Sequence, residues 1–118
     1  MNPKFLQKWY TRIIGIFFVL VFITLIADYS KFGYRLETWH KIFHVVIGIV
    51  VLYYGWNNEK FWKPFAMING IFFTLVALFG FIFPDFNGLD AFNRLDTILH
   101  GIVGVSGLMV GFVDRLKL

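Results

Sequence analysis

The chain has 118 residues, of which 58% are hydrophobic and only 15% are charged, and its mean hydropathy is +0.71. A soluble domain of this size has too much surface to hide so many apolar side chains, so the composition predicts an integral membrane protein in contact with the lipid bilayer. The net charge of +4 comes without a basic helix carrying base-stacking aromatic residues, so we expect no nucleic-acid partner. The absence of cysteine excludes disulfides and thiolate-ligated metals.

Four apolar segments follow one another along the chain. They cover, approximately, residues 9–27, 39–56, 65–83 and 95–113. Each is close to the roughly 20 residues that a helix needs to cross a bilayer core. Turn-forming clusters separate them, among them Asn57-Asn58-Glu59-Lys60 and Pro84-Asp85. The pattern predicts an all-α fold with four membrane-spanning helices.

The first segment also has the basic start of a signal peptide, with Lys4 and Lys8 before the apolar run. That run is longer than the roughly 7–15 residues of a signal peptide. The third segment copies it inside the chain, as expected of a structural element. We therefore predict that the first segment stays uncleaved.

The two halves of the chain repeat one another. Gly15-Ile16-Phe17-Phe18 recurs 55 residues later as Gly70-Ile71-Phe72-Phe73. At an offset of 56, a second set recurs: Ile42, His44, Gly48, Leu52 and Gly55 become Ile98, His100, Gly104, Leu108 and Gly111. A fixed internal period indicates a structural unit used more than once. We predict one membrane domain, 1–118, a four-helix bundle of two tandem two-helix repeats at about 5–58 and 60–114. A pseudo-twofold axis along the membrane normal would relate the repeats.

The basic residues predict the orientation. Seven lie at the two termini and in the middle loop: Lys4, Lys8, Arg12, Lys60, Lys63, Arg115 and Lys117. The opposite side carries four basic residues and five of the seven acids. An excess of lysine and arginine marks the cytoplasmic face, so both termini are predicted inside a bacterial cytoplasmic (inner) membrane. The tryptophans fall at the predicted helix ends, where headgroups favour them: Trp9, Trp39, Trp56 and Trp62.

Polar side chains form one stripe on the second helix and one on the fourth, near their outer ends. The predicted cluster is Glu37, His40, His44, Asn93, Asp96 and His100. Ionisable groups inside a membrane are costly, so their clustering indicates a site. The repeat places His44 opposite His100 and His40 opposite Asp96, about 5–10 Å into the apolar layer.

Glycines continue the same two stripes deeper into the membrane. They are Gly48, Gly55, Gly104, Gly107 and Gly111. Gly107-x-x-x-Gly111 has the spacing of small residues that lets membrane helices approach closely. We predict helix packing there, either within the bundle or in a homo-oligomer or larger membrane complex.

Two motifs carry a family resemblance: His40-x-x-x-His44-x-x-x-Gly48, and Asn93-x-x-Asp96-x-x-Leu99-His100-x-x-x-Gly104. With them the chain resembles a little-studied family of small bacterial four-helix membrane proteins, classed only as a domain of unknown function. Gly80-Phe81-Ile82-Phe83-Pro84 is similar to that family's end to the third helix. Lys41 departs from the asparagine usual in the family. The resemblance implies the fold and no established activity.

Three roles are open for the cluster. In the first, the histidines and Asp96 form a hydrogen-bonded network that fixes helix register, without a cofactor. In the second, His40 and His44 at i, i+4 bind zinc or another divalent metal, completed by His100 and by Asp96 or Glu37. In the third, His44 and His100 ligate haem b in a redox component, with Gly48 and Gly104 making room for the porphyrin.

Transport or proton conduction has the least support, because no acidic group lies near the predicted midplane. Asn69 and Thr74 are the only deep polar residues on the third helix, and we expect them to hydrogen-bond within the bundle. Neither a nucleophilic triad nor a phosphate-binding loop is evident. The sequence thus favours a structural or accessory membrane protein over an enzyme.

Overall fold

A computed structural model describes residues 2–27, 36–84 and 94–113, with side chains given for 2–23, 39–84 and 94–113. The described chain forms four helices: α1 (Pro3–Ala27), α2 (Leu36–Gly55), α3 (Glu59–Ile82) and α4 (Arg94–Gly111). These residues contain no strand. The predicted all-α, four-helix fold is confirmed.

Two helices begin about six residues before their apolar segments, because asparagine caps start them in the polar flank. Asn2 Oδ1 accepts from the amide of Lys4 at 2.9 Å, and Pro3 in the first turn has no amide hydrogen to leave unsatisfied. Asn58 Oδ1 accepts from the amide of Lys60 at 3.1 Å at the start of α3. Hydropathy therefore located the apolar part of each helix and not its full length.

The helices run up, down, up and down. α1 packs mainly on α2 and α3 mainly on α4, while α1 also contacts α3 and, less extensively, α4. In the described part of the chain, α2 and α4 do not pack directly on each other. The two long helices α1 and α3 thus form the centre and the shorter pair flanks them. The result is flattened, with extents of 46 × 32 × 16 Å.

Close contacts hold the helices together at all the predicted packing glycines. Gly48, Gly104, Gly107 and Gly111 lie against backbone atoms, and Gly55 lies against the side chains of Phe61 and Thr11. A Cβ on Gly48 would stand 2.8 Å from the amide nitrogen of Val19, and one on Gly104 would stand 2.8 Å from the carbonyl carbon of Phe73. Backbone atoms of a packed helix cannot move aside, so only glycine permits this approach.

Trp62 differs from the headgroup position expected of it. It is buried, and its Nε1 donates to the carbonyl oxygen of Gly55 at the end of α2. The last carbonyls of a helix lack intrahelical partners, and the indole supplies one. Trp9, Trp39 and Trp56 are exposed, as expected of interfacial tryptophans.

Gly104→Ala should lower the stability of the protein in detergent by about 1–3 kcal/mol, because the added methyl group overpacks the contact between α3 and α4. Thermal unfolding measures the change. Gly101→Ala is the matched control on the same helix, since its Cβ would lie 3.7 Å from Ala77 Cβ, an ordinary contact. An equal Tm for the two variants would contradict the assigned packing.

Candidate functional site

His40 and His44 form the closest polar contact of the predicted cluster. They lie one turn apart on α2, and their Nε2 atoms are 2.9 Å apart. One imidazole donates and the other accepts, so the two rings take complementary roles. Both side chains are partly buried. The i, i+4 spacing therefore does bring the two rings together.

Aromatic rings surround the inner histidine of this pair. His44 lies 5.1 Å from the Phe18 ring on α1 and 6.0 Å from the Phe73 ring on α3, measured between ring centroids. The planes of His44 and Phe73 are inclined by only 20°, which is a stacked arrangement. Phe18 and Phe73 also touch each other, at 5.6 Å. Three different helices thus meet at one imidazole.

His100 reaches the same aromatic group from the other flank. Its ring centroid lies 5.2 Å from that of Phe73, so Phe73 contacts both predicted histidines. The sequence placed His44 opposite His100, and the structure brings both to one layer with a phenylalanine ring in contact with each. We call His44, Phe18, Phe73 and His100 the aromatic layer. The sequence marks these two phenylalanines only as part of the repeat. Hydropathy does not distinguish a phenylalanine that faces a histidine from one that faces outward.

Asp96 is the remaining member of the predicted cluster whose side chain the structure describes. Asp96 lies in the first turn of α4, one turn before His100, and is partly buried. His40, expected opposite Asp96, has its 2.9 Å contact with His44 on its own helix. The side chains of Glu37 and Asn93 lie outside the described residues.

The geometry around the histidines bears on the metal and haem alternatives. Among the described residues, no three histidine, aspartate or glutamate side chains lie together as a metal-holding group, so His40 and His44 would supply only two ligands. A haem between His44 and His100 would require Phe73 to leave its present position. Gly48 and Gly104 were expected to make room for a porphyrin. The space beside each is instead occupied by a neighbouring helix.

A second polar cluster lies deeper in the bundle, on the opposite side of the aromatic layer from His40. Asn69 Nδ2 donates to the Tyr10 hydroxyl at 2.9 Å, and that hydroxyl donates to the Val103 carbonyl at 2.9 Å. The expectation that Asn69 hydrogen-bonds within the bundle is confirmed. The same expectation for Thr74 is wrong, because its buried hydroxyl has no hydrogen-bond partner among the described residues. Gln7 Nε2 adds a bond to the Val110 carbonyl at 3.1 Å. These bonds connect α1 to α3 and α4.

Sequence reasoning missed Tyr10 and Gln7, which lie near the start of α1 among residues expected at the membrane surface. The available signal was spacing. Gln7, Tyr10 and Thr11 fall on one face of a helix at i, i+3 and i+4. All three are buried. Tyrosine also occurs in interfacial belts, so the residue type alone did not reveal an interior role.

Arg12 forms a third polar feature, at the junction of α1 with the end of α2. Its Nε and Nη2 donate to the Trp56 carbonyl at 3.0 and 2.8 Å, and Nη2 also donates to Asn57 Oδ1 at 2.8 Å. The guanidinium carbon lies 4.3 Å from the Trp56 ring centroid and 5.2 Å from that of Trp9. Arg12, counted in the sequence only as a topology signal, thus also caps α2.

Searches of family models, curated proteins and solved structures find no match to this chain. The family resemblance carried by the motifs of α2 and α4 accordingly stays a prediction.

Phe73→Ala should destabilise the protein strongly, by about 3 kcal/mol, because it removes the ring that contacts both histidines and leaves a cavity. Thermal unfolding in detergent measures the loss. Phe72→Ala is the matched control: Phe72 is 52% exposed, whereas Phe73 is 5% exposed. Equal destabilisation by the two substitutions would show that the aromatic layer contributes nothing specific.

Proposed function

We propose that this chain is a small integral protein of the bacterial cytoplasmic membrane, with a structural or accessory role, four membrane-spanning helices and both termini inside. The aromatic layer and the histidines fix how its two helical hairpins meet. The observation that carries the proposal is the distribution of polarity, which is the reverse of that in a soluble protein. Among the described residues, several polar side chains are buried within the bundle, and most of the large apolar side chains are exposed on its outside.

The interior contains much of the polarity of the described helices. The buried polar side chains are Gln7, Thr11, Arg12, Asn69 and Thr97. On the outside, Phe17, Ile68 and Phe81 are 61%, 68% and 63% exposed, and many other large apolar side chains accompany them. Monomeric soluble proteins rarely expose contiguous apolar surface on this scale. Lipid is the solvent that such a surface fits.

Helix length and burial agree with this assignment. Two helical stretches of the described chain, Pro3–Ile23 and Glu59–Ile82, are long and apolar enough to cross a bilayer. Only 33% of each is buried inside the bundle, whereas the core helix of a soluble protein is mostly buried. The apolar stretch of α2, Trp39–Gly55, is shorter. Polar groups at the outer ends of α2 and α4 shorten their apolar lengths, as expected if those ends reach the headgroups.

The contacts between α1 and α3 support the tandem repeat. Three pairs join positions that are 55 residues apart: Lys4 with Glu59, Tyr10 with Phe65, and Phe18 with Phe73. Each residue of α1 in these pairs meets its own counterpart in the second half. Such self-pairing is what a twofold axis between two parallel helices produces.

The glycine contacts repeat in the same way. A Cβ on Gly48 would stand 2.8 Å from the amide nitrogen of Val19, and a Cβ on Gly104 would lie against the amide nitrogen of Thr74, the residue 55 positions after Val19. The two hairpins therefore use corresponding small residues for the same purpose. Because these glycines pack inside the bundle, a second copy or a partner protein would bind to the apolar outer faces.

A structural role suits the aromatic layer because its contacts join separate helices. Phe18 and Phe73 belong to the central helices, and His44 and His100 belong to the flanking ones. Ring contacts of this kind contribute about 0.5–1.5 kcal/mol each beyond simple burial. Together they favour one register of the hairpins over sliding alternatives.

Cysteine labelling tests the membrane topology, since the chain has no cysteine of its own. In right-side-out vesicles, a membrane-impermeant maleimide should label Pro84→Cys, beyond the outer end of α3, and leave Lys60→Cys unlabelled until the membrane is permeabilised. Leu75 is 60% exposed on the protein surface, but a cysteine at this position would lie in the hydrocarbon of the bilayer. Leu75→Cys should therefore resist labelling throughout. Rapid labelling of Leu75→Cys would contradict insertion, and a reversed pattern for the other two would contradict the orientation.

Spectroscopy and metal analysis of the purified protein separate the structural role from the cofactor alternatives. A structural role predicts no Soret band and no stoichiometric metal, with a lowered Tm for His44→Ala and for His100→Ala. A haem would give a Soret band that either substitution abolishes, and a bound metal would be lost on His40→Ala. Either cofactor result would overturn the proposed role.

A further inference from the structure

Arg12 is a buried cation whose bound partners are all neutral. Its side chain is 9% exposed, and it donates only to the Trp56 carbonyl and to the amide oxygen of Asn57. The ion pair between Lys4 and Glu59, whose nitrogen and oxygen are 3.2 Å apart, does not involve Arg12. Carbonyl oxygens orient the guanidinium but leave its full charge uncompensated. Burying a charge without a counter-ion is costly.

The guanidinium also has N–H donors that these hydrogen bonds do not use. Arginine has five N–H groups, and the bonds of Arg12 engage Nε and Nη2. In the described part of the chain, Nη1 makes no hydrogen bond that would use its two hydrogens. The two hydrogens on Nη1 are oriented to donate to an external acceptor, and phosphate oxygens are acceptors for which a guanidinium is well suited.

A second cation lies beside it. Lys8 is one turn earlier on α1, so the two side chains are neighbours on one helix face. The Lys8 ammonium nitrogen lies 6.0 Å from the Trp9 ring centroid, and the Arg12 guanidinium lies 5.2 Å from the same ring. Trp9 and Trp56 are both exposed; Trp9 contacts both cations, and Trp56 contacts Arg12. Two basic groups beside exposed tryptophans at a helix junction form the kind of basic site that binds acidic lipid headgroups.

We infer that Arg12 and Lys8, beside Trp9 and Trp56, bind the phosphate of an anionic phospholipid in the cytoplasmic leaflet. The inference rests on the proposed membrane insertion. The phosphate supplies the missing counter-charge and accepts from Nη1 of Arg12 and from the Lys8 ammonium, while the acyl chains lie along the apolar face of α1. The lipid thereby stabilises the junction of α1 with the end of α2.

Tryptophan quenching by brominated lipids tests the site. The full chain carries Trp39→Phe, so that Trp9 and Trp56 are the exposed tryptophans remaining. It is reconstituted in phosphatidylcholine vesicles containing brominated phosphatidylglycerol or, in parallel, brominated phosphatidylcholine at the same mole fraction. We expect stronger quenching by phosphatidylglycerol, and its relative affinity follows from the dependence on mole fraction.

The variants are matched in charge. Lys8→Gln should weaken the preference for phosphatidylglycerol about fivefold, the effect of one basic group near a membrane surface, and Arg12→Gln should abolish it. Lys60→Gln removes the same charge from an exposed residue on the same face and should leave the preference within about twofold of the parent. Lys8 is half-exposed, whereas Arg12 is buried, so the Lys8 variant remains informative if Arg12→Gln does not fold.

The outcomes separate the two proposals. Quenching by both lipids to the same extent, or equal effects of Lys8→Gln and Lys60→Gln, would overturn the lipid site while leaving membrane insertion intact. If neither brominated lipid quenches the tryptophan fluorescence, the proposed membrane insertion itself is overturned. Loss of the preference on adding inorganic phosphate, with chloride at matched ionic strength as the control, would show that the ligand is soluble phosphate and would overturn the assignment to lipid.

Discussion

The close approach of helix backbones within each hairpin is the constraint on which the rest of the structure depends. Gly48 on α2 packs against the backbone of α1, and Gly104 on α4 packs against the backbone of α3. Because no side chain separates the helices there, the next turn of each flanking helix brings its histidine onto an aromatic ring of the centre. His44 reaches Phe18, and His100 reaches Phe73. Larger side chains at the glycines would move both histidines outward and break the ring contacts of the aromatic layer.

Polarity is arranged at two levels of the bundle, and each level joins helices that the glycine contacts do not. At the outer level the aromatic layer connects both flanking helices to the centre. At the inner level the Tyr10 hydroxyl links Asn69 on α3 to a carbonyl of α4. Hydrogen bonds in a membrane contribute only about 1 kcal/mol each, so several are needed to specify how two hairpins meet. Ring contacts at one level and hydrogen bonds at the other together resist both sliding and rotation of one hairpin on the other.

Much of the fold followed from the sequence because apolar length and turn residues are local properties. Each of the four predicted apolar segments overlaps one helix, although α1 and α3 begin earlier, and the glycines noted for their spacing lie at close helix contacts. The site was predicted less completely. His44 and His100 do share one layer, but Phe73, which contacts both, had no distinguishing signal among sixteen phenylalanines. Tyr10 was not singled out and Arg12 was counted only among the basic residues that predict the orientation, whereas both side chains are buried.

The sequence by itself determined the number of helices, their order and the small residues on their faces, since each depends on neighbours at most a few turns away. It also carried the internal period of 55 residues, which reappears in the pairing of Phe18 with Phe73. Only the tertiary structure decided which rings separate the histidines and which carbonyls receive the hydrogen bonds of Tyr10 and Arg12. Those partners are set by the rotation of one helix against another, a quantity that no single helix encodes.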